Sequence, residues 1–200
     1  MTIPPPVPPR DPQAAAAAAA RFAAAAPADV RYAELDTPVG RVVAVMTRRG
    51  LVRLDYEDWF GGLDAVLEDT AEKLSPRILR GGAGLDPVAR ELDEYFEGRR
   101  RAFDIPIDWT LVPPFGRRVL QATAKIPYGE VATYGEVATR AGSPGGARAT
   151  GNALGANPIP IIVPCHRVVR AGGVLGGYTG GVERKQRLLA VERGERALFG

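Results

Sequence analysis

The chain changes character at Val112-Pro113-Pro114, and this change restricts the folds that it can adopt. Before this point, short apolar runs separated by turn signals are typical of β-strands; after it, apolar residues recur at helical spacing. Two prolines interrupt regular structure because proline lacks the backbone N–H group that helices and sheets use. We therefore predict two folded domains, at residues 30–112 and 113–200, preceded by a flexible Pro/Ala-rich arm at residues 1–29.

The first domain is predicted to be a small mixed α/β unit. Arg48-Arg49-Gly50 indicates a hairpin, and the apolar spacing between Leu63 and Leu74 indicates a helix. A second helix is expected to begin at Asp86-Pro87, because an acidic N-cap followed by proline is a common helix start. No cluster of reactive side chains stands out, so this domain is interpreted as a scaffold. The strands are expected at residues 32–35, 39–46 and 51–56.

The second domain is predicted to be mostly helical. After a first helix that ends before Pro127, Thr133 and Glu136 have the spacing of a capping box, which predicts a short helix that ends at Gly142. A second helix follows over residues 145–156, so the pair is a helix-turn-helix candidate. Further predicted elements are a buried strand at residues 159–163, a glycine-rich loop at residues 172–181 and a helix at residues 182–193.

The second helix of this pair consists almost entirely of glycine and alanine, with Arg148 and Leu154 as the main bulky residues. Glycine inside a helix costs about 1 kcal/mol relative to alanine, so a compensating interaction is expected. One interpretation is a close approach of the backbone to a binding partner, and the other is a tight contact between helices. The sequence of this helix alone leaves both open.

The only cysteine and the only histidine of the chain are adjacent, at Cys165 and His166. A thiol reacts mainly as the thiolate, and an imidazole within reach makes the thiolate available near neutral pH. A single cysteine excludes an internal disulfide, and two Cys/His residues are too few for a zinc site that needs four. No apolar run is long enough to span a bilayer, and we expect a cytoplasmic protein, where a free thiol persists.

Charge divides unevenly between the two parts of the chain. Residues 1–110 carry 14 Lys and Arg against 18 Asp and Glu, net −4, whereas residues 111–200 carry 12 against 5, net +7. A basic half that holds the reactive centre suggests a polyanionic substrate, with nucleic acid as the first candidate. A merely solvated basic face is the competing interpretation of the charge.

Together these features resemble one family, the O6-alkylguanine-DNA alkyltransferases, also called methylated-DNA-protein-cysteine methyltransferases. The resemblance is carried by Pro164-Cys165-His166-Arg167, a Gly-Gly-Tyr-Thr-Gly-Gly loop, Glu192, and a helix-turn-helix with Tyr134 and Arg148. It is close over residues 115–194 and looser over the first domain. It implies an α+β fold, in which a small ribonuclease-H-like α/β N-terminal domain precedes a mostly helical C-terminal domain with the helix-turn-helix.

The resemblance implies DNA repair by irreversible transfer of an alkyl group from O6 of guanine to Cys165, once per molecule. His166 would be the base, acting through a water, and Glu192 would fix its tautomer. Tyr134 would donate a proton toward N3 of the base, and Asn157 would brace the turn before the active-site segment. O4-alkylthymine is a further candidate substrate, and no cofactor or metal is implied.

The implied partner is double-stranded DNA that contains O6-alkylguanine, bound through the minor groove by a protein that we expect to be monomeric. The damaged nucleotide would be flipped out of the duplex, and Arg148 would act as an arginine finger in the vacated space. Two rival functions fit fewer of these features. A non-catalytic damage-recognition module would lack the reactive cysteine, and a cysteine hydrolase would not explain Arg148 and the glycine-rich helix.

The remaining residues that the resemblance implies are Leu154, Val168, Tyr178 and Thr179 for substrate binding, and Ala147, Gly151 and Arg167 for DNA binding.

Overall fold

The structure, a computed structural model, describes residues 29–195. The predicted arm lies outside the described residues except for Asp29, as do residues 196–200 of the predicted second domain. The strands of the described part are β1 Val30–Leu35, β2 Val42–Thr47, β3 Gly50–Tyr56, β4 Ile78–Arg80, β5 Ala132–Thr133 and β6 Val168–Val169. Its α-helices are α1 Glu57–Phe60, α2 Leu63–Lys73, α3 Asp86–Phe96, α4 Pro114–Thr123, α5 Tyr134–Arg140, α6 Ala147–Gly155 and α7 Val182–Glu192.

A four-stranded sheet organises the N-terminal half, with strand order β3-β2-β1-β4. Strands β1, β2 and β3 form an antiparallel meander, and β4 pairs with β1 in parallel. The inner strand β2 is buried on both faces: Val42 and Ala44 pack into one core, and Val43 and Val45 pack into another beneath α2. The three predicted strands are confirmed with shifted ends, whereas β4 and α1 were not predicted.

Helix α3 covers the opposite face of the sheet from α2. It begins at Asp86, where the sequence predicts a helix start, with Pro87 in its first turn. Its buried side chains Val88, Leu92 and Tyr95 join the larger core, which continues without interruption into the C-terminal half through residues such as Leu120. The N-terminal sheet is thereby fixed against the helices that carry the reactive centre.

The C-terminal half contains the predicted helix-turn-helix. Thr133 and Glu136 form both bonds of the capping box: the Glu136 N–H donates to Thr133 Oγ1 at 3.2 Å, and the Thr133 N–H donates to Glu136 Oε2 at 2.6 Å. Helix α5 ends at a left-handed Gly142 with φ of +74°, as predicted. The mixed α/β part followed by this helical part confirms the predicted α+β fold class.

The prediction of a buried strand at residues 159–163 is wrong. The segment is buried but forms turns, with the Val163 N–H donating to the Ile159 carbonyl at 2.9 Å and Ile161 in the left-handed region at φ of +71°. Apolar periodicity reports burial and does not by itself select a strand. Pro158 and Pro160 also lack the N–H groups that pairing with a neighbouring strand would require.

The two halves also meet through polar contacts. The Leu54 N–H donates to the Pro158 carbonyl at 2.8 Å, and the hydroxyls of Tyr56 and Tyr178 are hydrogen-bonded at 2.9 Å. Arg184 of α7 donates to the Val39 carbonyl at 2.7 Å and stacks on Tyr56. In the described part of the chain, no helix is long and apolar enough to cross a membrane.

Candidate active site

Cys165 lies in a short 3₁₀ turn, Cys165–Arg167, directly after the buried turns of residues 159–163. Its side chain is almost fully enclosed, with 5% of the residue exposed. The Asn157 amide donates to the sulfur, with an Nδ2–Sγ distance of 3.2 Å. Burial raises the pKa of the Cys165 thiol to about 11, although the hydrogen bond from Asn157 and the charge of Lys185 act in the opposite direction. The resting residue is therefore a neutral thiol.

Asn157 holds the segment that presents this thiol. Its Nδ2 also donates to the Val163 carbonyl at 3.0 Å, and its Oδ1 accepts from the Ile159 N–H at 3.0 Å. The second bond satisfies the Ile159 N–H inside the core, and the first adds a donor to the Val163 carbonyl, which also accepts from the Cys165 N–H at 2.8 Å. The position of the Cys165 sulfur is thus fixed by a buried amide that contacts both ends of the preceding turn.

His166 is fully buried and hydrogen-bonds to Glu192 of α7, with an Nε2–Oε1 distance of 2.8 Å. An ionised carboxylate can only accept, so Nε2 carries the hydrogen and Nδ1 has the free lone pair. Within residues 29–195, this Nδ1 atom has no hydrogen-bond partner. Burial lowers the pKa of His166, which keeps the ring neutral and able to take up a proton.

Glu192 accepts hydrogen bonds from four residues, so its carboxylate is fully satisfied. Besides His166, they are Arg167, whose guanidinium contacts both oxygens at 2.8 to 3.0 Å, the Tyr95 hydroxyl at 2.8 Å and the Gly129 N–H at 3.0 Å. Burial alone would raise the pKa of Glu192, but the donors His166 and Arg167 outweigh it and lower the pKa to about 2. Glu192 is therefore ionised at neutral pH.

This arrangement corrects the prediction that Arg167 binds DNA. Arg167 is 5% exposed, and its guanidinium is divided between Glu192 and the Ile126 carbonyl. A guanidinium that neutralises a buried carboxylate is not available to a phosphate at the surface, and separating the pair would leave a buried charge unpaired. Arg167 is a structural part of the His166–Glu192 pair.

A pocket of about 740 Å³ opens beside Cys165. Its volume exceeds that of a single base, and its wall combines apolar and polar groups, as small-molecule sites do. The residues that line it are Trp59, Tyr134, Ala147, Arg148, Gly151, Leu154, Gly155, Cys165, Arg170, Gly177, Tyr178 and Thr179.

The polar groups of the wall differ in their availability. The half-buried Tyr134 has a pKa raised by burial, so its phenol keeps a proton to donate. The Tyr178 hydroxyl is bonded to Tyr56, and the Thr179 hydroxyl donates to the Gly155 carbonyl at 3.0 Å. Thr179 therefore does not offer its hydroxyl proton to the pocket.

Gly151 and Gly155 of α6 are not in tight contact with a neighbouring helix. A methyl group added at Gly151 would meet only the Tyr134 ring, at 3.7 Å, which is an ordinary contact. At Gly155, an added methyl group would meet no other part of residues 29–195 within 4 Å, apart from the adjoining residues and backbone of α6 itself. Tight packing between helices therefore does not explain these two glycines, and the alternative of a partner that approaches the helix is favoured.

The structure brings most predicted site residues together, in two groups. Ala147, Arg148, Gly151, Leu154 and Tyr178 line the pocket, together with Tyr134, Cys165 and Thr179. His166, Glu192 and Asn157 are buried behind the thiol. Val168 is not part of the pocket wall; it is fully buried, and its carbonyl accepts a hydrogen bond from Lys185.

The sequence analysis missed residues that the N-terminal half contributes to this site. Trp59 of α1 lines the pocket and is 59% exposed, and Tyr95 of α3 reaches Glu192 from behind. Neither residue belongs to a motif, and only the packing of the two halves places them at the site. Among the described residues, no group of three or more His, Cys, Asp or Glu side chains could hold a metal ion.

Comparison with known proteins gives matches over nearly all of the described chain. The model for the ribonuclease-like domain of 6-O-methylguanine DNA methyltransferase matches residues 30–109, and the model for its DNA binding domain matches residues 114–194. The methylated-DNA–protein-cysteine methyltransferase of Mycolicibacterium paratuberculosis is 41% identical over 169 residues, covering 82% of this chain and 93% of the relative. That of Mycobacterium leprae is 52% identical over 164 residues, covering 80% and 90%.

Solved structures agree with these matches. The crystal structure of Mycobacterium tuberculosis O6-methylguanine methyltransferase aligns with a TM-score of 0.70 at 35% identity, covering 82% of this chain and 93% of that one. A second structure from the same organism, of OGT in complex with DNA, aligns with a TM-score of 0.70 at 34% identity, covering 84% and 96%. From the domains matched, the identities and the shared fold, the chain belongs to the 6-O-methylguanine DNA methyltransferase family.

Proposed function

We propose that this protein repairs DNA by direct reversal, taking the alkyl group of O6-alkylguanine onto Cys165. The observation that carries the proposal is the placement of the chain's one cysteine at the wall of a pocket large enough to admit a base, in front of the buried His166–Glu192 pair. Members of the family transfer the alkyl group to a cysteine of their own, and Cys165 is the one cysteine that this chain has. O4-alkylthymine is proposed as a second substrate.

The neutral thiol has to lose its proton during the reaction, because its pKa of about 11 leaves little thiolate at neutral pH. His166 Nδ1 takes this proton through a bridging water, and Glu192 stabilises the resulting imidazolium. The Sγ–C bond forms while the C–O6 bond breaks. Tyr134 donates its phenol proton to N3 of the departing guanine, and the proton held on His166 then restores the phenol. The products are guanine and a thioether.

Recognition is proposed to require a flipped nucleotide, since O6 of a stacked guanine does not reach a buried sulfur. Helix α6 enters the minor groove, where the small residues Ala147 and Gly151 let the backbone approach and the exposed Arg148 fills the vacated space. The open space at Gly155 and the absence of a tight contact at Gly151 support this placement. DNA as partner is supported by the relative solved with DNA and by the net positive charge of the C-terminal half.

Inside the pocket, Leu154 and Tyr178 form apolar walls against the base. The Cys165 carbonyl accepts from the exocyclic amine. The Val168 carbonyl, which lies behind the pocket wall, is proposed as a second acceptor, because one of its lone pairs remains after its hydrogen bond with Lys185. The Thr179 backbone amide is assigned to O6, since the hydroxyl proton is directed to Gly155.

No group of this site cleaves a thioether, so each molecule reacts once. We also propose that the protein acts as a monomer. No cofactor is required, because the thiol, base and proton donor are all side chains. We place the domain boundary at residues 112/113. A cytoplasmic location fits a mechanism that depends on a free thiol.

The transfer is tested with duplex DNA that carries O6-methylguanine labelled in the methyl group. After incubation and digestion, we expect label on the peptide that contains Cys165, at one methyl per protein molecule, and none in a Cys165→Ser variant. Label that stays on the DNA with wild-type protein would overturn the proposal. Repeated release of product without labelled protein would favour hydrolysis.

The role of Arg148 is tested separately. Arg148→Ala should slow repair of duplex DNA far more than reaction with free O6-benzylguanine, because the free base needs no flipping. Arg90→Ala is the matched control, since Arg90 is an exposed arginine of α3 outside the pocket. Equal losses on both substrates would refute the proposed finger.

A further inference from the structure

Tyr95 of α3 belongs to the N-terminal half but reaches the buried pair of the C-terminal half. Its hydroxyl lies 2.8 Å from Glu192 Oε1 and 3.5 Å from His166 Nε2. The side chain is fully buried. The oxygen that accepts from His166 therefore also accepts from a residue on the far side of the domain junction.

The surroundings of Tyr95 fix where its hydroxyl points. The ring packs against Phe96 at 5.1 Å, Phe103 at 5.3 Å and Tyr128 at 5.9 Å between centroids, so it has little freedom to turn. Burial, and then the nearby Glu192 charge, raise the pKa of Tyr95 well above its usual value, so the phenol keeps its proton and donates. Since Glu192 is ionised, the direction of this hydrogen bond is settled.

We propose that Tyr95 is a positioning residue for proton uptake: it holds Glu192 Oε1 toward His166 and limits the basicity of that oxygen. The inference rests on the roles proposed above for His166 and Glu192. A buried hydrogen-bond network of this kind is sensitive to the loss of one member, since each bond is made in a medium of low dielectric constant. The N-terminal half thus contributes to the chemistry as well as to the scaffold.

Several other charged or titratable groups face the same pair and set the direction of the effect. Arg167 and the Gly129 N–H also donate to Glu192. The Arg167 guanidinium carbon lies over the Tyr128 ring, 5.8 Å from the ring centroid. The Arg167 charge and the Gly129 N–H are unchanged when only the Tyr95 hydroxyl is removed. The remaining groups on this side of the site are Lys185, Cys165 and Tyr178.

The sign of the pH effect follows from the charge on Oε1. Without the Tyr95 hydroxyl, Oε1 keeps more of its negative charge and stabilises the imidazolium form of His166 more strongly. The pKa of His166 should then rise. Because proton uptake needs the neutral ring, the acid side of the pH–rate profile should move to higher pH.

Tyr95→Phe is the test, because it removes the hydroxyl and keeps the ring. The single-turnover rate of Cys165 alkylation by free O6-benzylguanine is measured between pH 5 and 9. We expect about a tenfold lower rate at neutral pH and an acid limb shifted upward by about half a pH unit or more. Tyr32→Phe is the matched control: Tyr32 is half-buried in the smaller core beneath α2, far from the site, and its change should alter neither the rate nor the profile.

Two outcomes would overturn the proposal. One is a wild-type rate and profile in Tyr95→Phe; the other is a uniform loss of rate with an unmoved acid limb, which indicates a role in packing alone. Thermal unfolding of each variant separates loss of fold from loss of proton uptake. In a Glu192→Gln background, Tyr95→Phe should have little further effect, since the charge that it tunes is gone, and a full additional loss would again count against the proposal.

Failure of the positioning role of Tyr95 and failure of the proposed alkyl transfer give different results. If label reaches Cys165 normally in Tyr95→Phe, the positioning role is refuted while alkyl transfer stands. If label does not reach Cys165 in the wild-type protein, the proposed function itself fails.

Discussion

Replacing Gly176 by alanine should displace Tyr134, the proposed proton donor, while every reactive side chain keeps its chemical identity. Gly176 has an ordinary backbone conformation, so alanine is not strained there. Its new methyl carbon would lie 3.0 Å from Cε2 and 3.1 Å from Cζ of Tyr134, and closer still to the phenol oxygen. No real methyl group comes this close to an oxygen, so one of the two residues has to move.

These distances give the size of the displacement of the Tyr134 phenol. Carbon atoms in contact prefer about 3.5 to 4.0 Å, so the phenol has to shift by roughly 1 Å. Tyr134 can yield because it is half-buried with one face toward the pocket, so we expect the fold to survive with a loss of about 1 to 3 kcal/mol in stability. A displacement of about 1 Å in a catalytic group can reduce the rate about 100-fold.

The assay is the single-turnover rate of methyl transfer from duplex DNA that carries O6-methylguanine. Gly135→Ala is the matched control, because Gly135 adjoins Tyr134 in sequence and an added methyl group there has its nearest neighbour, Thr133 Oγ1, at 4.0 Å. The control should keep the wild-type rate. A rate for Gly176→Ala within about twofold of wild type would refute the steric argument. In a Tyr134→Phe background, which lacks the crowded oxygen, the effect of Gly176→Ala should shrink.

Three further outcomes are expected. Arg167→Met should lower the free energy of unfolding by about 3 to 5 kcal/mol in urea titrations, because the buried charge of Glu192 loses its partner. The salt dependence of DNA binding should keep its wild-type slope, and a shallower slope would show that Arg167 contacts DNA. The pKa of Glu192 is about 2 in the folded state against an ordinary value of 4.5, so its ionised form stabilises the fold above pH 4.5, and this stabilisation is lost as the pH falls through 2. Glu192→Gln should therefore remove about 3 kcal/mol of acid-dependent stability between pH 5 and 2. An unchanged pH dependence contradicts the pairing. O6-benzylguanine should quench the tryptophan fluorescence of a Cys165→Ser protein, because Trp59 lines the pocket. Trp59→Phe should abolish the quenching, and Trp109→Phe should keep it. Quenching that is lost with Trp109→Phe and kept with Trp59→Phe would show that Trp59 does not contact the ligand.

Local signals explain the parts of the fold that the sequence predicts well. The capping box at Thr133 and Glu136 and the left-handed Gly142 each depend on residues within a few positions of one another, so helix α5 could be predicted with both of its ends. The strands around the Arg48-Arg49-Gly50 hairpin follow from alternation and turn chemistry in the same way. The short strand β4 has only three residues, too few to show a pattern.

Contacts between residues that are distant in the sequence explain where the predictions from the sequence are wrong or incomplete. Residues 159–163 are as apolar as a core strand, but Asn157 supplies the hydrogen bonds that a neighbouring strand would otherwise give. Arg167 looks like a DNA contact beside His166, and only the distant Glu192 turns it inward. The resemblance to a family predicts residues that the structure places around Cys165, whereas the positions of Trp59 and Tyr95 follow only from the packing of the two halves.

A thiol that can be used only once has to be protected until the right substrate arrives, and the site provides this protection through burial. With a pKa of about 11, forming the thiolate at pH 7 costs about 5 kcal/mol, so solutes that react with thiolates find almost none. In the proposed mechanism the same cost is offset when the neutral His166, held by Glu192, takes the proton. Because the proposed donor Tyr134 would protonate only a base that is already in the pocket, the sulfur would become a nucleophile in the same step in which guanine becomes a leaving group. Reactivity is therefore conditional on a docked base, because burial suppresses the thiolate in its absence.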